Sequence, residues 1–222
     1  MVRIVKHKSE DPMWGDTPLL LYAQASTFTE MVFEMFSEKI PTKNECVLFD
    51  LLLKLSLDHG AGAPSAKATI AAAMRGDTMG SAVGDGIREI NAVHGGATEG
   101  AMRLFEEIAE GKTNAGDAVA NLIKERRRVP GFGHRLYKKD PRAELIMETI
   151  IRLGFPRKYP VIAREVETAL TAHVPGKILP LNIDGAIGAA LSTLGWKPEV
   201  STAVFIAARS AGLAAHYLHN KA

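Results

Sequence analysis

Two histidines and an aspartate, each beside glycine, are the residues of this sequence best suited to chemistry. They are His94 in Val93-His94-Gly95-Gly96-Ala97, His134 in Gly131-Phe132-Gly133-His134-Arg135, and Asp184 in Asn182-Ile183-Asp184-Gly185. Together they are the set needed to remove and return a proton next to a carbonyl. His94 stands just ahead of a predicted helix, whose partial positive charge disfavours imidazolium. A neutral imidazole there can donate to a carbonyl oxygen and stabilise an enol or enolate; a helix cap is the alternative. His134 lies in a glycine loop that lets backbone approach a ligand. It could move a proton on or off a hydroxyl while Arg142, in Asp140-Pro141-Arg142, holds a carboxylate by a two-pronged contact. A solvated loop histidine is the plainer reading. Asp184 sits in an apolar stretch, residues 179–188, where desolvation would raise its proton affinity and make it a better base. The position also suits a helix N-cap. His59, between Asp58 and Gly60, could donate to a carboxylate or hydroxyl, or close a helix. Arg209, on an apolar helix, needs an anionic partner, from a substrate or from a structural salt bridge.

Helical patterns must position these residues. Thr27-Phe28-Thr29-Glu30 and Thr42-Lys43-Asn44-Glu45 read as capping boxes. Met31, Val32, Met35 and Phe36 recur at helical spacing after the first, and Val47, Leu48, Leu51, Leu52 and Leu55 after the second. Ser65 is expected to cap an alanine-rich helix that stops at Gly76. Glycines from Gly80 to Gly86 favour close helix packing. A helix after His94 carries Ala101, Leu104, Phe105 and Ile108 on one face and ends at Gly111. Further helices are expected over residues 114–125, 143–153, 159–173 and 185–194, and a last one from Pro198 to about Leu218. Residues 2–5 alone alternate as a strand would. The class is all-α. The expected division is a large helical domain, residues 1–96 and 191–222, with a small helical domain, residues 97–190, inserted.

A chain of 222 residues, 46% hydrophobic, can bury a good core. A net charge of +2 favours neither nucleic acid nor membrane as a partner. The run Lys124-Glu125-Arg126-Arg127-Arg128 is the one local basic cluster of note. The longest apolar runs, residues 18–23 and 203–208, are too short to span a bilayer. One cysteine, Cys46, reads as a small buried hydrophobe. It allows no internal disulfide, and with no signal peptide the cytoplasm is the expected compartment. No P-loop lysine accompanies the glycines at 80–86, and there is no Gly-x-Ser-x-Gly elbow. His216 and His219 are spaced as two metal ligands could be but have no third partner, so no metal is expected.

Taken in order, the His94, His134 and Asp184 segments, with Asp140-Pro141-Arg142, resemble the citrate synthase superfamily over residues 26–221. Leu57-Asp58-His59-Gly60 with Pro64-Ser65-Ala66, Leu181 to Gly188, and Ala208-Arg209-Ser210-Ala211-Gly212 with His216-Tyr217-Leu218 are similar to the citryl-CoA lyase branch, including the lyase module of ATP-citrate lyase. Typical citrate synthases follow the aspartate with an aromatic residue and Ser-Gly, which this chain lacks. His94 itself is the citrate-synthase-like feature.

The resemblance implies a citrate synthase-like helical fold with a shortened N-terminus, acting on acetyl-CoA, oxaloacetate and citryl-CoA. The implied activity is citryl-CoA lyase, with citrate or 2-methylcitrate synthase as one alternative and a catalytically silent CoA-binding subunit as another. Under it, Asp184 exchanges the methyl proton of acetyl-CoA, His94 stabilises the enolate, and His134 handles the proton on the oxaloacetate carbonyl or citryl hydroxyl. His59, Arg142 and Arg209 hold carboxylates. The loop with Val129, Gly131, Phe132 and Gly133 cradles the CoA adenine, and Lys138 and Arg135 meet CoA phosphates. Coenzyme A enters as part of the substrate. The implied assembly is a homodimer or higher homo-oligomer, with a further carboxylate-binding arginine from the neighbouring subunit at a position past Ala222. A separate subunit would activate citrate, since this chain shows no ATP-binding motif.

Overall fold

The computed structural model describes residues 4–8, 11–91 and 94–221. Among them the chain forms eleven α-helices and one small sheet. Two compact units divide it, Met1–Leu51 and Leu52–Ala222.

The first unit opens with an antiparallel meander, β1 (Lys6–Lys8), β2 (Asp11–Trp14) and β3 (Thr17–Pro18). Of the strand expected over residues 2–5, Val2 and Arg3 fall outside the described residues, and Ile4 and Val5 lie just before the first observed strand. The reason is local. Gly15, at φ 61°, lets the chain reverse in a two-residue turn, and Trp14 next to it is buried while Ile4 is exposed. The Trp14 indole donates to buried Glu34, and Tyr22 hydroxyl bonds the same carboxylate. Helices α1 (Leu19–Ala25) and α2 (Phe28–Ser37) follow. Both arms of the predicted Thr27–Glu30 capping box are present, as are those of Thr42 and Glu45 at the start of α3 (Lys43–Ser56). Phe33 and Phe49 meet edge-on at 5.4 Å.

The second unit carries α4 (Pro64–Met74), α5 (Met79–Arg88), α6 (Ala97–Ala109), α7 (Ala115–Lys124), α8 (Pro141–Arg152), α9 (Lys158–His173), α10 (Ile183–Thr193) and α11 (Ser201–Asn220). Helix α10 is its axis. Every residue from Gly185 to Ser192 is buried, against α6, α8 and α9. A large apolar side chain such as Ile187 or Leu191, removed from water this completely, contributes about 1.5–3 kcal/mol. Helices α4, α5 and α11 form a second packed group.

Three expected helix starts shift. Ala63 caps α4 with Pro64 at its first position, so Ser65 lies inside the helix and its hydroxyl is free for another use. Asn182, not Asp184, caps α10: its Oδ1 accepts from the Asp184 and Gly185 amides. Pro198 opens a short 3-10 turn ahead of α11. Among the described residues no helix is long and apolar enough to cross a membrane.

Candidate active site

The glycine segments that carry His134 and Asp184 are zipped together by backbone. Gly133 N donates to Pro180 O at 2.8 Å and Asn182 N to Gly131 O at 3.0 Å, while Asn182 Nδ2 donates to Gly133 O at 2.9 Å. Gly131 adopts φ 83°, in the left-handed region, and a Cβ on it would lie 2.6 Å from Gly185 Cα. A Cβ on Gly185 would in turn lie 2.4 Å from Gly131 O. Two backbones touch here because neither residue has a side chain.

The cavity beside this junction has a volume of about 870 Å³. His59, His94, His134, Arg142, Asp184 and Arg209 all line it, together with Val129, Gly131, Phe132, Gly133 and Arg135. Lys138, expected to meet a CoA phosphate, is exposed and does not line the cavity. Arg127, Arg128 and Lys177 line it as well, so the basic run at 124–128 does reach this cavity.

Asp184 occupies the first turn of α10, and Thr98 Oγ1 approaches its Oδ1 at 3.4 Å. The residue keeps some accessible surface, yet the mass of protein around its carboxyl group is enough to push its pKa up to about 6, against the pull of Arg142, Thr98 and Arg209. His94 accompanies it in the opposite sense. Burial, then the charges of Arg209 and His59, bring its pKa down to about 4, so it is neutral near pH 7. Its Nε2 lies 2.9 Å from Ser65 Oγ, and Arg209 Nη1 donates to that same oxygen at 3.4 Å. The Ser65 hydroxyl, held by the guanidinium on one side, can give a hydrogen to the imidazole or take one from it, so the contact fixes the orientation of the ring. The histidine that could have capped α6 is thus an oriented neutral imidazole; Gly96 holds the cap position.

His134 is oriented by backbone. Its Nδ1 accepts from the Leu136 and Tyr137 amides, both at 3.0 Å, which leaves the proton on Nε2. Burial and the Arg142 charge lower its pKa, Asp140 opposing. Arg142 is fixed by Asp140: Nε donates to Oδ1 at 3.0 Å and Nη2 to Oδ2 at 2.8 Å. Its Nη1 reaches His59 Nδ1 at 3.1 Å, and Nη2 lies 3.4 Å from His134 Nε2. Arg209 is buried without a carboxylate at bonding distance among the described residues. Its Nε donates to Ser56 O at 2.9 Å, and it lies over the Phe205 ring at 4.6 Å. The Arg142 and Arg209 guanidinium groups, three hydrogen-bonding imidazoles and one weakly acidic carboxyl therefore converge on one cavity, a set chemically suited to bind carboxylates and to hold charge appearing on oxygen.

The model of the citrate synthase C-terminal domain matches residues 2–222. The chain belongs to the citrate synthase family. Citrate synthase from Synechocystis is 32% identical over 191 residues, covering 82% of this chain and 47% of the relative. ATP-citrate synthase beta chain protein 1 from Arabidopsis thaliana is 28% identical, over 96% of this chain and 38% of that one. Among solved structures, citryl-CoA lyase from Hydrogenobacter thermophilus superimposes with a TM-score of 0.90 at 30% identity, over 99% of this chain and 86% of the other. The chain spans less than half the length of these two curated relatives. The fold is the family's helical one.

Within that frame, sequence reading overlooked the residues that hold the chemical ones. Asp140 is fully buried, caps α8, grips Arg142, and accepts from Ile183 N at 3.1 Å, so it ties the two loops together. An aspartate ahead of Pro141 signals only a cap. Glu167 of α9 accepts from Leu181 N at 2.7 Å, and Ser65 and Thr98 bond His94 and Asp184. None of these has a local pattern that marks it. Among the described residues, no group of three or more His, Cys, Asp or Glu could hold a metal ion.

Proposed function

We propose that this chain makes and breaks the carbon–carbon bond between acetyl-CoA and oxaloacetate, and that it acts as a citryl-CoA lyase. One observation carries the reading: a carboxyl group held near pKa 6 and a neutral, oriented imidazole line the same cavity as Arg142 and Arg209. In the condensing direction Asp184 takes a methyl proton from acetyl-CoA. His94 donates to the thioester oxygen as the enolate forms, and the new bond grows to the carbonyl carbon of oxaloacetate. His134 handles the proton on the oxygen that becomes the citryl hydroxyl. Arg142, Arg209 and His59 hold the carboxylates. Cleavage runs the same steps backwards, returning the proton from Asp184 to the acetyl methyl. Loop 129–133 would cradle the adenine of coenzyme A, with Arg135 and Lys138 toward its phosphates. The likeness to the Hydrogenobacter citryl-CoA lyase supports this assignment.

The Synechocystis relative favours a second reading, citrate synthase, which also hydrolyses the thioester. Incubating the chain with citryl-CoA tests the first. Acetyl-CoA and oxaloacetate should appear, and should not with Asp184→Ala; no product from either protein sinks it. Free CoA released from acetyl-CoA plus oxaloacetate would mark a synthase instead. As part of the same proposal the chain works as a homodimer or higher homo-oligomer in the cytoplasm, and residues 97–190 form a small helical domain inserted in the larger one. The Arabidopsis beta chain supports pairing with a separate citrate-activating subunit.

A further inference from the structure

His59 has no helix of its own. Helix α3 ends at Ser56, and α4 begins only at Pro64. The imidazole is nevertheless placed against Arg142 at 3.1 Å and edge-on to the His134 ring at 5.7 Å. The residues just before it explain how. Each is held by one face of α11. Arg209 Nε donates to Ser56 O at 2.9 Å. Gly212 packs so closely on the next residue that a Cβ there would lie 2.0 Å from Leu57 O. His216 Nε2 bonds Asp58 Oδ1 at 2.9 Å. Positions 209, 212 and 216 share one face of a helix, so α11 grips residues 56, 57 and 58 in register, and His59 is the next residue.

Asp58 extends the grip past His59. Its Oδ2 accepts from Gly60 N at 3.0 Å, so the carboxylate is anchored to α11 on one side and to the backbone beyond His59 on the other. A carboxylate only accepts, which assigns the proton of the contact to His216 Nε2. His216 itself does not line the cavity, whereas Arg209 does.

We propose that His216, acting through Asp58, is a positioning residue that sets His59, and through it the grip on the substrate carboxylate. The proposal rests on the reading of His59 as a carboxylate ligand. A His–Asp pair that merely decorated the surface would leave ligand affinity untouched, because exposed ion pairs contribute little.

The full chain is tested by calorimetry with oxaloacetate and, separately, with coenzyme A. His216→Leu should weaken oxaloacetate binding about tenfold, the loss of one hydrogen bond to a charged group. Coenzyme A affinity should stay within about twofold. His216→Gln, whose side-chain amide can still donate to Asp58, should recover oxaloacetate affinity to within about threefold of the parent. Asp58→Ala removes the bond from the other side and should match His216→Leu, which keeps the test alive if the leucine variant does not fold. In turnover the change should fall on KM for oxaloacetate more than on kcat. Unchanged oxaloacetate affinity in His216→Leu and Asp58→Ala overturns the proposal. So does a parallel loss of coenzyme A binding, or a glutamine variant no better than leucine. A parent chain that fails to bind oxaloacetate at all would instead overturn the reading of His59 itself.

Discussion

Two hollows of similar size mark the second unit, and they treat charge in opposite ways. The groove between α8 and α9 has a volume of about 680 Å³ and is lined by Met147, Ile151, Pro160, Val161, Glu144 and Arg164, among others. Two of its charges, Glu144 and Arg164, are paired. Arg164 bonds Glu144 at 2.6 Å and Glu167 at 2.7 Å, and Lys139 reaches Glu144 at 3.0 Å. Burial works against the Glu144 and Arg164 charges, but their hydrogen bonds win and favour the ionised forms of both. In the site cavity burial wins: Asp184 and His94 are both pushed toward neutrality, and Arg209 is bonded to neutral groups. Volume does not separate the two hollows. Unresolved electrostatic demand does, and a charged substrate is what would resolve it.

Substitutions should sharpen that contrast in graded steps. Asp184→Ala should lower kcat about 10³-fold or more, with circular dichroism unchanged, because on the proposed function it removes the base that takes the methyl proton. His94→Ala should cost about 10²-fold in kcat, the effect of losing one donor to a developing oxyanion. Arg142→Lys should raise KM for oxaloacetate about tenfold, since an ammonium cannot keep both contacts to Asp140 and still present a flat donor edge.

The Asp184 pKa gives a signed test. Its folded value, about 6, lies above the ordinary aspartate value of 3.8. Between these values the unfolded chain has already ionised while the folded one has not, so stability is lost as pH rises through about 6. Asp184→Asn should therefore be more stable than the parent by about 3 kcal/mol at pH 8, and by about half of that at pH 5, in denaturant titrations. Activity should run the other way: kcat/KM falls as pH drops below about 6, where the base is protonated. The groove should give the smallest effects. Arg164→Met should change stability by about 1 kcal/mol or less and leave turnover within about twofold, because a partly exposed pair contributes little. A large loss of activity there would collapse the distinction between the hollows.

Most of what the sequence disclosed was periodic or punctuated. The helices at 114–125, 143–153 and 159–173 and the two capping boxes follow from side-chain spacing and short local bonds. The glycine context of His94, His134 and Asp184 pointed to one cavity, and all three line it. What stayed hidden was long-range. Nothing near Ser65 announces His94, 29 residues on, and nothing near Asp140 announces Ile183. Ile4 and Val5 lie outside the strands for a nearer reason: a buried tryptophan and a glycine turn a few residues along form the hairpin instead.

The contact between Gly131 and Gly185 also has a kinetic meaning. Backbones packed without side chains between them have no slack to absorb motion. Any shift of loop 129–133, toward a cofactor or away from one, is carried to the first turn of α10 and hence to Asp184. On the proposed function, seating the thioester and aiming the base would be one mechanical event rather than two successive ones.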